Sequence, residues 1–161
     1  MIRKLAVLIV AASLLFTLVS CNKNKEINCE IGNTYSTEWF EFTIESIESV
    51  EFYDWYTPEE GNILIDVLIT VKGTFESRPV PLGTFDFYMD SETFADYLWP
   101  LDPFDSTMMP LEFNLPFGEE AAFHMIYEAP SGISDLTLIY KEIAEDGTEY
   151  KTFRFTVDIG G

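Results

Sequence analysis

From Asn62 to Lys72 every second residue is β-branched and apolar: Ile63, Ile65, Val67, Ile69 and Val71. Successive side chains of a strand point to opposite faces, so this spacing lines one face with apolar groups. A helix is the alternative for so apolar a run. The density of β-branched side chains, which lose rotamer freedom in a helix and pack well on a pleated surface, argues against it. Leu64 and Leu68 on the opposite face predict a strand covered on both sides, and hence a central one. Such a strand needs neighbours in its sheet and a second layer packed against it.

The rest of the chain supplies candidates. Phe40, Phe42 and Ile44 alternate with Glu41, Thr43 and Glu45. The phase then slips before Ile47, Val50 and Phe52, as a bulge or bend near Ser46 would produce. Pro79-Val80-Pro81-Leu82 reads as an edge or entry segment, because proline cannot donate to a ladder. Thr84 to Met89 predicts a strand burying Phe85, Phe87 and Met89, and Glu119 to Tyr127 one burying Phe123, Met125 and Tyr127. Asp135–Ile143 and Tyr150–Ile159 read as two further strands, with the hairpin signal Asp146-Gly147 between them. Ser91–Leu98 is open between one helical turn capped by Ser91, a strand and a loop. Trp99–Met109, rich in proline and aspartate, reads as a long loop. With almost no helical periodicity, the expected fold is all-β: an immunoglobulin-like antiparallel β-sandwich.

The beginning of the chain carries an address. Arg3 and Lys4 precede an apolar run from Leu5 to Val19, interrupted by Ser13 and Thr17. The run is short for a membrane span, which needs about 20 apolar residues. Basic start, apolar middle and small-residue end are the parts of a secretory signal. Leu18-Val19-Ser20-Cys21 resembles the lipobox of bacterial lipoproteins. The resemblance implies that Met1–Ser20 is removed and that Cys21, carrying lipid, becomes the first residue. The expected organisation is a signal over 1–20, a polar lipidated tether over 21–31 and one domain over 32–161, with the domain on the extracytoplasmic side of the membrane.

Removing Met1–Ser20 takes away Arg3 and Lys4 and no acid, which leaves 7 basic against 28 acidic residues, a net charge of −21. Nucleic-acid phosphates demand a basic surface, so that class of partner is excluded. The same charge opposes flat contact with an anionic bilayer, and it favours solubility. With Cys21 given to lipid, Cys29 stands alone. No internal disulfide is expected, and the sandwich must be held by its core.

The order of the pieces is also similar to a known domain. Asn62–Lys72, Phe85-Asp86-Phe87, Pro116-Phe117-Gly118-Glu119-Glu120, Tyr127-Glu128-Ala129-Pro130 and Leu136-Leu138-Tyr140 together resemble the telokin-like immunoglobulin-fold domains of many bacterial lipoproteins, over about residues 32–160. That family has no assigned biochemical function. The resemblance implies an interaction role and brings no catalytic residues. Two departures stand out, the short charged tether and the insertion around Tyr97–Met109.

Candidate chemistry is sparse. His124 is the only histidine, with no nucleophile motif to serve, and one histidine with one free cysteine does not suit zinc. The expectation is therefore no catalytic and no metal residue. Asp86, Asp90, Glu92, Asp96, Asp102 and Asp105 form an acidic loop set that raises calcium as a weak alternative cofactor, although an EF-hand's glycine and terminal glutamate are missing. The sharper feature is a set of loop aromatics: Tyr53, Trp55 and Tyr56 in one segment, and Tyr97, Trp99 and Phe104 in another. Exposed, they would stack on a sugar or anchor a protein of the cell envelope. Buried, they would close the ends of the sandwich. The leading expectation is a lipid-anchored binding module. A small envelope hydrolase using loop carboxylates and a calcium-binding spacer are the alternatives.

Overall fold

The computed structural model describes residues 25–159 except 94, 145, 146 and 148. The signal segment, Cys21 and the start of the tether lie outside the described residues. The described residues form ten strands: β1 Lys25–Cys29, β2 Thr34–Ser36, β3 Phe40–Val50, β4 Asn62–Gly73, β5 Val80–Leu82, β6 Phe87–Ser91, β7 Phe113–Leu115, β8 Glu120–Pro130, β9 Leu136–Ile143 and β10 Glu149–Thr156. They build one four-stranded sheet in the order β1-β10-β9-β6, a second in the order β2-β3-β4-β8, and the small β5-β7 pair.

The two large sheets pack face to face as an immunoglobulin-like β-sandwich. The alternating residues of β4 form its floor: Ile65, Val67, Ile69 and Val71 are fully buried. Phe40, Phe42 and Ile44 from β3 lie in the same layer. Phe87 and Met89 from β6, Tyr140 from β9, and Phe153 and Phe155 from β10 close the core from the other sheet. Phe42 sits at the centre, its ring 5.3–6.1 Å from those of Phe87, Tyr140, Phe153 and Phe155 in edge-on contacts, the geometry that aromatic quadrupoles favour. Among the described residues the one thiol, Cys29, is free and half-buried, and the two sheets are held together by this aromatic layer.

Local readings of the sequence hold in detail. β4 is central, between β3 and β8. The phase slip is a register shift between Ile44 and Ser46 against β4, and it returns Ile47 to the core side. Pro81 sits in the short β5, and residues 99–107 form a loop.

Three expectations need correction. The tether is not featureless over 21–31: Lys25–Cys29 is an edge strand, its alternation of Ile27 and Cys29 masked by the polar residues between. It pairs with β10 in parallel, so the sandwich is not wholly antiparallel. Thr84–Asp86 is a single 3-10 turn rather than strand, because the Asp86 carboxylate accepts the Gly83 amide at 2.7 Å and folds the chain back. Phe85 and Asp86 are both left exposed, and desolvation by the surrounding chain raises the Asp86 carboxyl against the lowering effect of the Gly83 amide. Of the readings left open for Ser91–Leu98, the described residues beyond Ser91 take the loop. Leu98 folds back to exchange both backbone bonds with Met89, at 2.8 and 2.9 Å.

Candidate functional site

The outer face of the β2-β3-β4-β8 sheet is not left to solvent. Leu64 from β4 and Ile126 from β8 point outward yet are fully buried, under Met108, Leu101, Tyr53, Tyr56 and Phe104. The cover is the insertion after Trp99. It is tied to the free edge of β8 by Leu101 N–H to the Ile126 carbonyl at 2.7 Å, His124 N–H to the Thr107 carbonyl at 2.9 Å, and Met109 N–H to the His124 carbonyl at 2.9 Å.

Against this loop stands a tight turn after β3. Tyr53 and Tyr56 exchange backbone hydrogen bonds at 3.0 and 2.9 Å, with Asp54 at φ 52° between them. Aspartate is among the few L-residues that tolerate this region. The turn leaves Trp55 at its tip, 69% exposed. Phe104 packs into the group: its centroid is 5.0 Å from Trp55, 5.8 Å and nearly parallel to Tyr56, and 6.1 Å from Tyr53.

The polar groups beneath are satisfied in chains that end on carboxylates. Tyr53 Oη and Thr107 Oγ1 are 2.8 Å apart, and Thr107 Oγ1 donates to Asp105 Oδ1 at 2.6 Å. That bond, with the amides of Thr107 and Met108 and the nearby His124, outweighs burial and holds the Asp105 carboxyl below its ordinary value. Tyr56 Oη donates to Glu128 Oε2 at 2.6 Å, and the Asn62 amide and Glu59 N–H donate to Oε1 at 2.8 Å each. Burial alone would raise the Glu128 carboxyl. Those three bonds overcome it and the net shift is downward. The Tyr56 phenol, bonded to a carboxylate, is shifted up. His124 Nδ1 faces both Asp66 oxygens, at 2.8 and 3.0 Å, with the Tyr53 ring 5.5 Å away.

The six aromatics expected at a site do not form one surface. Phe104 joins Tyr53, Trp55 and Tyr56. Tyr97 and Trp99 instead group with Tyr88 on the other sheet, at 4.5 and 5.3 Å, and with Phe85, 6.2 Å from Trp99. This second group is about half exposed at Tyr97 and Trp99, and the Lys141 ammonium lies 5.9 Å from the Tyr88 centroid. The loop acids are also dispersed. Asp86 is held by Gly83, Asp90 accepts the Ser91 amide, Asp105 is spent on Thr107 and Met108, and Glu92, Asp96 and Asp102 are exposed. Among the described residues no group of three or more His, Cys, Asp and Glu side chains is arranged to hold a metal ion.

Sequence reasoning missed Asp66, Thr107 and Glu128. Asp66 and His124 both occupy the outward phase of their strands, but only the β4-β8 register, Leu68 opposite His124 and Asp66 opposite Ile126, brings them together. An aspartate fixing Nδ1 is the posture of an oriented base. The neighbouring hydroxyls of Tyr53 and Thr107, however, are bonded to each other and to Asp105. The surface offers π faces, carboxylate oxygens and the indole N–H of the exposed Trp55.

No protein-family model matches the chain and no curated protein matches it. Solved structures do. The chain is similar to the ycdA protein of Bacillus subtilis, named as a candidate lipoprotein, at 15% identity and a TM-score of 0.62, over 80% of this chain and 39% of that one. It is also similar to MPT63, a secreted protein of Mycobacterium tuberculosis, at 11% identity and a TM-score of 0.59, over 81% of this chain and 98% of that one. A third is the yjhA protein of Bacillus subtilis, at 15% identity and a TM-score of 0.55, over 83% and 99%. The chain thus spans well under half the length of ycdA. At these identities the likeness is one of fold, and the fold is the β-sandwich.

Proposed function

We propose that this chain is a lipid-anchored binding module of the bacterial cell envelope, a telokin-like sandwich carried on Cys21 and facing the extracytoplasmic side. Its binding surface is the face built by Tyr53, Trp55, Tyr56 and Phe104. One observation carries the reading: a tryptophan 69% exposed, on a turn whose backbone bonds hold it out, backed by three packed rings. Exposing a large indole forgoes about 1.5–3 kcal/mol of burial, and rigid aromatics of this kind are the residues that dominate binding surfaces. Support for the address comes from the lipobox-like Leu18–Cys21 and from the candidate lipoprotein and secreted protein that share the fold.

The test is capture of partners from envelope extracts by the wild-type chain, Trp55→Ala and Trp99→Ala. The expected result is a partner held by wild type and Trp99→Ala and lost by Trp55→Ala. Equal recovery by all three would remove this surface from consideration. The anchor is checked separately: Cys21→Ser should shift the chain from the membrane to the soluble fraction.

A further inference from the structure

Charge is distributed very unevenly over this molecule. No Lys or Arg occurs from residue 26 to 71, nor from 79 to 140. The turn after β3, the insertion and all of β8 lie within those stretches, so the Trp55 face is made without a Lys or Arg. The basic residues sit elsewhere. Lys25 lies opposite Lys151 on β1 and β10, and Lys72 is near the end of β4, between Glu41 and Glu120. Arg78 is over Trp39, Lys141 is beside Tyr88, and Arg154 is on β10 between Asn28 and Ile139. Carboxylates, by contrast, ring the face. Asp54 adjoins Trp55, Asp105 follows Phe104, and Glu128 holds Tyr56. Glu59 and Asp102 are exposed in the same segments.

Hydrogen-bond direction sharpens the point. Three side-chain donors around the rings are spent inward: Thr107 on Asp105, Tyr56 and Asn62 on Glu128. The face presents carboxylate lone pairs and ring faces, with the indole N–H of the exposed Trp55 as a donor among them. Carboxylates and ring faces both attract positive donors. A guanidinium is the complement, with five N–H donors, no acceptor, and a plane that stacks on an indole.

We propose that the Trp55 face receives a basic polypeptide segment, with Arg or Lys side chains stacked on Trp55 and Tyr56 and paired with the surrounding carboxylates. This rests on the binding role assigned to that face above and names the chemistry of its partner. Complementary charge speeds and steers the encounter, and the rings supply specificity.

The experiment uses the full chain in detergent micelles, titrated with a short poly-arginine peptide. A poly-glutamate peptide and an uncharged N-acetylglucosamine oligomer are the comparison ligands. Saturable binding of poly-arginine is expected, weakening with salt and falling about tenfold in Trp55→Ala, a change of about 1.4 kcal/mol in which no charge is altered. Trp99→Ala should bind as wild type. Binding equal in wild type and Trp55→Ala would mean diffuse attraction to an acidic protein and would overturn the proposal, as would absence of saturable binding. If the sugar oligomer instead binds in a Trp55-dependent way, the face is a binding site but the cation assignment is wrong. That outcome separates this inference from the reading beneath it.

Discussion

Glu128 shows how one residue can organise a surface. Its carboxylate gathers Tyr56, Asn62 and the Glu59 amide, and so fixes the turn to the end of β8. Because its folded pKa is depressed, its contribution to stability is present above the unfolded value, about 4.3, and is lost as pH falls through the folded value. Glu128→Gln should therefore lower Tm near neutral pH, by the equivalent of about 1–2 kcal/mol for hydrogen bonds to a charged acceptor. The gap to wild type should close on acidification, and thermal melts across pH would read it. A gap that persists at low pH would assign the loss to packing. A second residue is buried rather than exposed. Glu142 is fully buried, with Oε1 accepting the Glu38 amide and Oε2 3.0 Å from Lys151 Nζ. Lys151→Met should cost about 3–5 kcal/mol, since it strands a buried carboxylate; denaturant unfolding measures it. Gly73 is needed for a different reason. A Cβ there would stand 2.1 Å from the Pro116 carbonyl oxygen, so Gly73→Ala should displace the Pro116–Gly118 turn and cost about 1–3 kcal/mol.

At the scale of elements, the instructive piece is the insertion from Trp99 to Met109. β8 is the outer strand of its sheet, and a long unpaired edge invites pairing with another chain. The insertion occupies that edge at His124 and Ile126 and covers Leu64 and Ile126. A variant in which residues 100–107 are replaced by a short glycine linker should expose both. Elution as larger species than wild type in size-exclusion chromatography is the expected sign, and elution unchanged from wild type would show that the insertion is not needed to protect this edge. The opposite edge is managed by other means. β2 covers only Glu41–Thr43 of β3, and beyond it the bulge before Ser46 and the charges of Glu45 and Glu48 discourage pairing.

The whole molecule is polarised from end to end. β1 begins opposite Lys151, near the end of β9, where Glu142 meets the Glu38 amide just before β3. The Trp55 turn follows the far end of β3, and Glu128 lies near the far end of β8. A lipid on Cys21, a few residues ahead of Lys25, would therefore sit at the end carrying Lys25 and Lys151. The acidic aromatic face would point away from the bilayer.

Much of this was legible beforehand because it depends on local pattern. The period of β4, the phase slip at the bulge, the proline-marked short strand, the lone Cys29 and the need for an aromatic core follow from side-chain alternation and composition. Those properties are written along one strand at a time. The strand Lys25–Cys29 escaped notice because an edge strand with polar faces carries little alternation, and only β10 supplies its partner. Phe85 was misplaced because a side-chain bond from Asp86 reverses the chain in one turn. The candidate site is the clearest case. Sequence alone named its aromatics and its excess of acids. The tertiary structure decided that Phe104 belongs with Trp55 while Tyr97 and Trp99 do not, and that Asp66 meets His124. Those outcomes depend on strand register and on the route of a loop across a sheet, contacts between residues far apart in the chain that no local pattern encodes.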